Sequence, residues 1–374
     1  MDQTSNQESI PAIRSHLKII TDACSRFQIL SLNRQLEAVQ LLLAENPPID
    51  VAVLGQFKAG KSSFLNSLLG QNVLPVGAIP VTTAITRLQY GAKEMAIVRH
   101  FDGHTTEVPL AEVVNFTSEA ENPCNSKNVS IVDIELPFLK KYSGLRLVDT
   151  PGLGSVYKYH QSASEEWLPS VGTALLAVSS DRPLSEHDLE LIRELIAHTP
   201  NIILLLTKAD LLSPDQQKEV ITFFQETLQR ELHRTLPVYL YSTKGNTDAY
   251  KQLIDDNILK TICADRDAEF LRILNHKVGS LSQSCLNYLK IALNSSLQAD
   301  MNRESLRNRI LNEKVNEDIV QEEMGIISRE HQRQTRPMIE TYLEKFRTPL
   351  TKKVMNKLER DLPSWKGNLW TLSR

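Results

Sequence analysis

Cysteine is scarce in this sequence. The four cysteines, Cys24, Cys124, Cys263 and Cys285, are scattered along the chain without a CxxC pair. This spacing argues against a disulfide framework and a cysteine zinc site, and it favours a reducing compartment. The sequence also lacks an apolar run of the roughly 18–20 residues that span a bilayer, and its first residues lack the features of a secretory signal peptide. We therefore expect a cytoplasmic protein.

The chain has no strong excess of either charge, with 42 Lys+Arg against 45 Asp+Glu and a formal net charge of -3. Bulk nucleic-acid binding needs a basic face, so we expect no nucleic-acid partner. With 41% hydrophobic and 23% charged residues, the composition is that of a globular protein. A length of 374 residues exceeds one ordinary domain of roughly 100–200 residues, which predicts two or three domains.

Helical patterns flank the middle of the chain. Residues 1–48 carry apolar residues at steps of three and four, in two stretches whose phases differ. The pattern predicts an amphipathic helix over about 8–46, which must dock on another element because it cannot bury its stripe alone. Residues 261–374 show the same periodicity and are predicted to be helical. Their last 44 residues hold 10 Lys+Arg against 4 Asp+Glu, which suits either a solvated helix face or a contact with acidic lipid.

Residues 49–260 alternate short apolar runs with helical patterns. The predicted strands are Val51–Leu54, Ala84–Tyr90, Met95–Phe101, Ile131–Leu136, Leu145–Asp149, Ala174–Val178, Ile202–Leu206 and Val238–Tyr241. The predicted helices include Lys61–Leu69, Glu186–His198 and Asp215–His233. This alternation predicts an α/β fold with a mostly parallel, doubly wound sheet. Ligands of such sheets bind beyond the carboxyl ends of the strands.

The run Gly55–Ser62 reads GQFKAGKS and matches the phosphate-binding loop G-x-x-x-x-G-K-[ST]. It follows a predicted strand and opens a predicted helix, which is the context that the motif requires. Its glycines let successive main-chain N–H groups surround phosphate oxygens, and the helix N-terminus adds a positive dipole end. Lys61 is predicted to contact the β- and γ-phosphates, and the Ser62 hydroxyl to ligate Mg²⁺.

Three more motifs follow predicted strands. In the run DTPG, Asp149 suits Mg²⁺, and the Gly152 N–H can reach a γ-phosphate. In the run TKAD, the Asp210 carboxylate can accept from both N1–H and N2–H₂ of guanine, a donor pair that adenine lacks. Lys208 can lie along the base. The run Ser242–Gly245 either touches the base through main-chain N–H groups or is a plain turn.

These motifs, in this order, resemble those of a GTPase, and Val73–Tyr90 sharpens the resemblance. This segment is similar to switch I of the dynamin superfamily, particularly of its bacterial dynamin-like and mitofusin-like members. Phe57 in the phosphate loop and the 67-residue spacing from Thr82 to Asp149 are also similar to that group. The chain is therefore identified as a member of the dynamin superfamily of large GTPases, with specific motifs over roughly residues 50–245.

The resemblance implies a domain organisation and a switch residue. Residues 1–48 would form a helix of a neck bundle, residues 49–260 a GTPase domain, and residues 261–374 the rest of the neck and a stalk that is either truncated or short. Thr82 would ligate Mg²⁺ through its hydroxyl and orient the attacking water through its carbonyl, with Thr83 as the alternative.

Two positions differ from the residues that related GTPases have in these motifs. Small signalling GTPases place a glutamine after DTPG to orient water, whereas Leu153 cannot form a hydrogen bond, so the Thr82 carbonyl and Gln56 are the candidates for this role. Where many dynamins use a serine that helps hold a monovalent cation, this chain has Lys58. We hypothesise that the Lys58 ammonium replaces that cation. The alternatives are a solvated lysine and one that pairs with a partner subunit.

The predicted site has three groups of residues. The catalytic residues are Gln56, Lys58, Lys61 and Thr82, and the metal ligands are Ser62, Thr82 and Asp149. The nucleotide-binding residues are Gly55, Ala59, Gly60, Lys61, Ser62, Ser63, Gly152, Thr207, Lys208, Asp210, Ser242, Thr243 and Lys244.

The resemblance implies hydrolysis of GTP to GDP and phosphate with Mg²⁺ as cofactor, and GTP-bound heads that pair and move the helical region in membrane binding or remodelling. The partners expected are a second copy, acidic lipid at the cytosolic face of a membrane, and a second dynamin-like protein. Two alternatives remain, a cytosolic Era-like assembly GTPase and a non-catalytic scaffold. The balanced charge and the lack of an RNA-binding motif disfavour the first, and the intact Lys61 and Asp210 disfavour the second.

Overall fold

A computed structural model describes residues 9–77, 83–152 and 167–312, together with 321, 324–330 and 356. The chain divides into two compact units, Met1–Lys290 and Ile291–Arg374. The described part of the second unit is helical, which agrees with the periodicity of the sequence there. The basic C-terminal stretch lies almost wholly outside the described residues.

Within the described residues, nine strands form one sheet. They are β1 Ile49–Leu54, β2 Ile85–Gln89, β3 Met95–His100, β4 Thr105–Val108, β5 Val129–Glu135, β6 Leu145–Asp149, β7 Thr173–Ser179, β8 Asn201–Thr207 and β9 Val238–Leu240. Their order is β4-β3-β5-β2-β6-β1-β7-β8-β9. The run from β6 to β9 is parallel, β2 is antiparallel to β6, and β3 is antiparallel to both β4 and β5. The predicted mostly parallel sheet is confirmed.

The helices of the described residues are α1 Ile10–Phe27, α2 Asn33–Glu45, α3 Lys61–Leu69, α4 Val114–Thr117, α5 Glu186–His198, α6 Pro214–Leu232, α7 Thr247–Ile254, α8 Lys260–Ala264 and α9 Arg266–Asn312. A π-helical turn, Asp255–Leu259, joins α7 to α8. Six 3₁₀ turns lie at Leu30–Leu32, Leu110–Glu112, Pro123–Asn125, Pro137–Tyr142, Leu168–Ser170 and Ala209–Leu211.

The sheet is covered on both faces. Along β1, Val51 and Val53 belong to one apolar cluster, whereas Ala52 and Leu54 belong to a second one. This division follows from the alternation of side chains along a strand. The first cluster also contains apolar residues of α1, α2, α3 and the first part of α9, and the second contains those of α5 and α6. The doubly wound arrangement is therefore confirmed.

The amino-terminal region forms two helices, so the prediction of one helix over about 8–46 was wrong. Gln28 ends α1 with φ of 53°, in the left-handed region, and a 3₁₀ turn leads into α2. The break explains the change of phase between the two apolar stripes, because each stripe must face the same core. Strand β4 was also not predicted; its sequence, TTEV, has little apolar character, and the antiparallel pairing with β3 supplies its hydrogen bonds.

Helices α1 and α2 pack with residues 266–290 of α9, and we call this group the bundle. The buried thiols of Cys24 in α1 and Cys285 in α9 meet, and burial together with Cys285 raises the pKa of the Cys24 thiol to about 11. At the other end, the Arg266 guanidinium donates to the Asn46 side chain at 2.7 Å and to its main-chain carbonyl at 3.0 Å. The bundle thus joins segments that are distant in sequence.

Candidate nucleotide-binding site

The predicted motifs meet at one edge of the sheet. In the parallel registers, Val53 of β1 pairs with Asp149 of β6, and Ser179 of β7 pairs with Thr207 of β8. The loops after β1, β6 and β8 therefore leave the sheet at the same level, at the carboxyl ends of the strands. This is the edge where open α/β sheets bind their ligands.

The phosphate loop needs glycine at the positions where the motif has it. Gly55 has φ of 139°, and a Cβ there would lie 2.3 Å from the carbonyl oxygen of Ala177. Gly60 has φ of 84° and begins α3. A Cβ on Gly152 would lie 3.0 Å from the Phe57 Cα and 3.4 Å from the Lys61 Nζ, so this glycine lies directly against the loop. Together these glycines keep a main-chain cradle open at the start of a helix.

Lys61 lies inside the cradle. Its Nζ donates to the carbonyl oxygens of Gly55 at 3.0 Å and Gln56 at 3.2 Å. Burial lowers the pKa of Lys61 to about 8, while the nearby Asp149 carboxylate opposes this shift. The group is therefore a poorly hydrated ammonium that gains strongly from an approaching anion, because it has little solvation left to lose.

Two of the three predicted metal ligands touch each other. The Ser62 hydroxyl donates to Asp149 Oδ2 at 2.7 Å, and Asp149 is fully buried. A hydroxyl and a carboxylate are hard oxygen donors, which fit Mg²⁺ held by few protein ligands together with substrate phosphates. In the described part of the chain, no cluster of three or more His, Cys, Asp or Glu side chains forms a separate metal site.

The third predicted ligand, Thr82, lies outside the described residues, as does Leu153. Its alternative, Thr83, is buried: its main-chain N–H donates to the Thr117 carbonyl at 2.8 Å, and its hydroxyl to the Phe116 carbonyl at 3.4 Å. Both groups of Thr83 therefore hold α4 against the sheet in this conformation, which favours Thr82 for the switch role.

A cleft of about 230 Å³ opens beside the phosphate loop. Its walls are Gly60, Ser63, Phe64, Thr207, Lys208, Asp210, Leu211, Tyr241, Thr243 and Lys244. The buried Ser242 hydroxyl donates to Asp210 Oδ1 at 2.6 Å and accepts from the Lys244 main-chain N–H at 2.9 Å. Only a main-chain contact was predicted for Ser242. Its hydroxyl instead orients the Asp210 carboxylate, which is predicted to determine base specificity.

The loop after β8 is tied to the phosphate loop. The buried Thr207 hydroxyl donates to the Ala59 carbonyl at 2.7 Å, so this side chain holds the two loops together. Lys208 has φ of 57°, and its Nζ lies 3.7 Å from Asp181 Oδ2. Lys208 lines the cleft, as expected for a stem that lies along a base.

Gln56 is engaged in a way that the sequence analysis did not anticipate. Its amide nitrogen donates to the Ser185 hydroxyl at 2.7 Å and to Asp188 Oδ1 at 3.3 Å. Ser185 and Asp188 form the capping box at the start of α5, and Arg182 also binds Asp188. The spacing S-x-x-D was visible in the sequence as a cap, but its contact with the phosphate loop was not. For Gln56 to orient water, its amide must leave this cap, so that role stays a prediction.

Lys58 lies at the surface of the loop. Its φ of 63° is in the left-handed region, and its Nζ lies 5.3 Å from the centroid of the Phe57 ring. The side chain is exposed at the rim of the cradle. This exposed position fits a solvated lysine, a contact with a partner subunit and the predicted replacement of a monovalent cation alike, so the replacement stays a prediction.

The fold and the site define a P-loop nucleotide-binding domain of the α/β class. Residues 51–240 match the family model described as the dynamin family. The chain therefore belongs to the dynamin family, a family of GTPases, and the resemblance drawn from the motifs is confirmed.

Relatives agree with this assignment. The chain is 26% identical over 319 residues to dynamin-like protein 1 of Campylobacter jejuni, covering 72% of this chain and 43% of that protein. It is 27% identical over 238 residues to a probable transmembrane GTPase, FZO-like and chloroplastic, of Arabidopsis thaliana, covering 63% of this chain and 23% of that protein. The chain spans less than half the length of these curated relatives.

A solved structure of an oligomerised bacterial dynamin pair is similar at 19% identity and a TM-score of 0.49, covering 97% of this chain and 68% of that one. No helix among the described residues combines the length and the apolar character needed to cross a bilayer.

Proposed function

We propose that the protein binds GTP with Mg²⁺ and hydrolyses it to GDP and phosphate. The observation that carries this proposal is the placement of the Ser62–Asp149 pair, Lys61 and Asp210 along one edge of the sheet, after β6, β1 and β8, where one guanine nucleotide can meet metal-binding, phosphate-binding and base-binding groups together. Membership of the dynamin family supports the same activity.

The chain contributes binding and orientation to this reaction. Main-chain N–H groups of the cradle and the Lys61 ammonium bind the phosphates, and the Gly152 N–H contacts the γ-phosphate. Ser62 and Asp149 would hold Mg²⁺, which would neutralise negative charge on the phosphates. Water attacks in line, oriented by the Thr82 carbonyl or by a released Gln56. No nucleophilic side chain is needed.

Pairing of GTP-bound heads across the nucleotide edge, coupled to movement of the bundle, is the proposed mode of action. Campylobacter jejuni has two dynamin-like proteins similar to this chain, which supports a second copy or a second dynamin-like protein as partner. Acidic lipid is the proposed membrane component, with the protein peripheral at a cytosolic face. Family membership favours this proposal over an Era-like assembly GTPase.

The test is GTP turnover measured against protein concentration, with and without acidic liposomes and with RNA. We expect the rate per molecule to rise with concentration, because paired heads order the switch region of each other. Stimulation by RNA alone would instead favour the Era-like alternative. Absence of turnover at every concentration would leave the scaffold as the explanation, provided that GTP binding is measured in the same samples.

The replacement of a cation by Lys58 gives a second prediction. We expect Lys58→Ala to lower kcat for GTP by about 10- to 100-fold with little change in GTP affinity, because it removes a charge near the β–γ bridge. The residual activity of this variant should become dependent on K⁺. Turnover in Na⁺, K⁺ and Cs⁺ buffers at fixed ionic strength measures this.

Lys93→Ala is the matched control, because this exposed lysine follows β2 at the opposite end of the sheet. A strong K⁺ requirement in the unmodified protein would contradict the replacement, as would full activity of Lys58→Ala.

A further inference from the structure

One lysine of the bundle is buried inside the nucleotide-binding unit. Lys277 of α9 is only 5% exposed, and lysine is seldom buried to this extent without partners. Its Nζ donates to the carbonyl oxygens of Pro169 at 2.7 Å, Val171 at 2.7 Å and His198 at 2.6 Å. All three N–H donors of the ammonium are thus matched by main-chain acceptors.

The acceptors belong to two segments that lead to the nucleotide edge. Pro169 and Val171 lie at the turn before β7. His198 is the last residue of α5. The neighbouring His276 donates from Nε2 to the Ile196 carbonyl at 2.8 Å, since a carbonyl can only accept. Two donors of α9 therefore satisfy two of the free carbonyls at the end of α5.

The beginning of α5 is held by the phosphate loop. Gln56 donates to Ser185 and Asp188 at the helix start, as described above. Helix α5 has 13 residues and so is about 20 Å long. The helix is fastened to the phosphate loop at one end and to the bundle at the other, so a shift of either end must strain or break polar contacts at the opposite end.

A cavity of about 400 Å³, partly open to solvent, lies beside Lys277 between α2, the amino ends of β1 and β6, and α9. Its wall includes charged residues such as Asp50 and Arg146. Helix α9 is held here both by buried apolar residues of the core, including Ile273 and Leu274, and by the directional contacts of Lys277.

Burial makes partial loss of the three Lys277 hydrogen bonds unfavourable. Burial lowers the pKa of Lys277 to about 7, while the Asp50 carboxylate opposes the shift. Because unpaired polar groups are costly in a buried site, the loss of one of the three Lys277 hydrogen bonds favours release of the others. Elements with two discrete arrangements are the ones that carry coupling between distant sites.

We propose that Lys277 is a positioning residue that fastens the bundle to α5 and to the turn before β7, so that nucleotide state and bundle position depend on each other through this one side chain. The inference rests on the proposed GTP binding. In this proposal, the bundle responds to bound nucleotide through Lys277, and the bundle influences GTP turnover through the same residue.

Hydrogen–deuterium exchange tests the proposal in the full chain, with GDP and with a non-hydrolysable GTP analogue. In the unmodified protein, we expect the exchange of peptides covering 167–172 and 270–281 to differ between the two nucleotides. In Lys277→Met, the nucleotide-dependent difference over 270–281 should disappear, while the phosphate loop still responds. We also expect kcat to fall about five- to tenfold with KM unchanged, within the range of typical coupling between sites.

Lys290→Met is the matched control, because Lys290 is exposed on the same helix. If Lys277→Met is too unstable to study, Lys277→Gln replaces it, because its shorter side chain with two N–H donors cannot reach all three carbonyls, and the same loss of the nucleotide-dependent difference is expected. A purely structural lysine would lower the melting temperature of either variant but leave the nucleotide-dependent difference intact, and that result overturns the proposal.

The unmodified protein alone provides a second test. If the unmodified protein binds and hydrolyses GTP but residues 270–281 exchange equally with both nucleotides, the role of Lys277 is refuted and the proposed function stands. If the protein does not bind GTP in a direct binding assay, the proposed function is refuted, and the role of Lys277 is refuted together with it.

Discussion

Lys61→Ala is expected to reduce GTP turnover by at least about a hundredfold and to weaken nucleotide binding strongly. The reason is the position of Lys61 Nζ, which lies within the cradle against the Gly55 and Gln56 carbonyls and is the one side-chain cation among the described residues placed inside the loop. Removing a preorganised donor at a site of developing negative charge typically costs 10²–10³ in rate. Fluorescent GTP binding and steady-state turnover measure the two effects separately.

The pH dependence of binding gives an independent readout of the same ammonium. The folded protein without nucleotide holds Lys61 with a pKa lowered to about 8, and a bound triphosphate raises this pKa again. Above pH 8, binding must therefore take up a proton, and GTP affinity should fall by up to about tenfold per pH unit. The dependence should vanish in Lys61→Ala and persist in Lys93→Ala. Tight binding by Lys61→Ala would refute the assignment of this loop.

Asp210→Asn should change which base is preferred. The Asp210 carboxylate, oriented by the Ser242 hydroxyl, is placed to accept two hydrogen bonds from the guanine edge. The asparagine oxygen can still accept from N1–H, but its NH₂ cannot accept from the guanine amino group. Hydrogen bonds to charged groups contribute about 1.5–3 kcal/mol each, so the loss of this one predicts a decrease of roughly 10–10² in GTP affinity. Xanthine carries a carbonyl where guanine carries its amino group, and an asparagine amide can donate to it. The variant should therefore prefer XTP to GTP.

Competition of GTP, XTP and ATP for one fluorescent nucleotide measures this preference. Asp215→Asn is the matched control, because this carboxylate is exposed in the first turn of α6 and lies outside the cleft wall. The control should bind the three nucleotides as the unmodified protein does. Equal affinity of the unmodified protein for GTP and ATP would show that the cleft does not select its base through Asp210.

The motifs could be predicted because they are local. The phosphate loop, the DTPG run and the TKAD run are each contiguous, and strands such as β8, with the sequence NIILLLT, are continuous apolar runs between helical patterns. Parallel strands bring such loops to one edge, so the meeting of Lys61, Asp149 and Asp210 followed from the order of the strands.

The supporting contacts could not be predicted in this way. Gln56 and Ser185 are 129 positions apart, and Lys277 lies 106 positions from Val171. No periodicity or motif relates such pairs, because they meet only through the packing of whole elements. The break between α1 and α2 is of a different kind, since the change of phase in the apolar stripe was visible and its structural meaning was missed.

The bundle has a consequence for how the chain folds as it is synthesised. Asn46, at the end of α2, meets Arg266, which is made 220 positions later. Ribosomes add roughly 5–20 residues per second, so α1 and α2 leave the exit tunnel many seconds before α9 can cover them. During that interval their apolar stripes are open to chaperones or to the same helices of neighbouring nascent chains. Helices α1 and α2 are thus translated well before the segment that completes their native contacts.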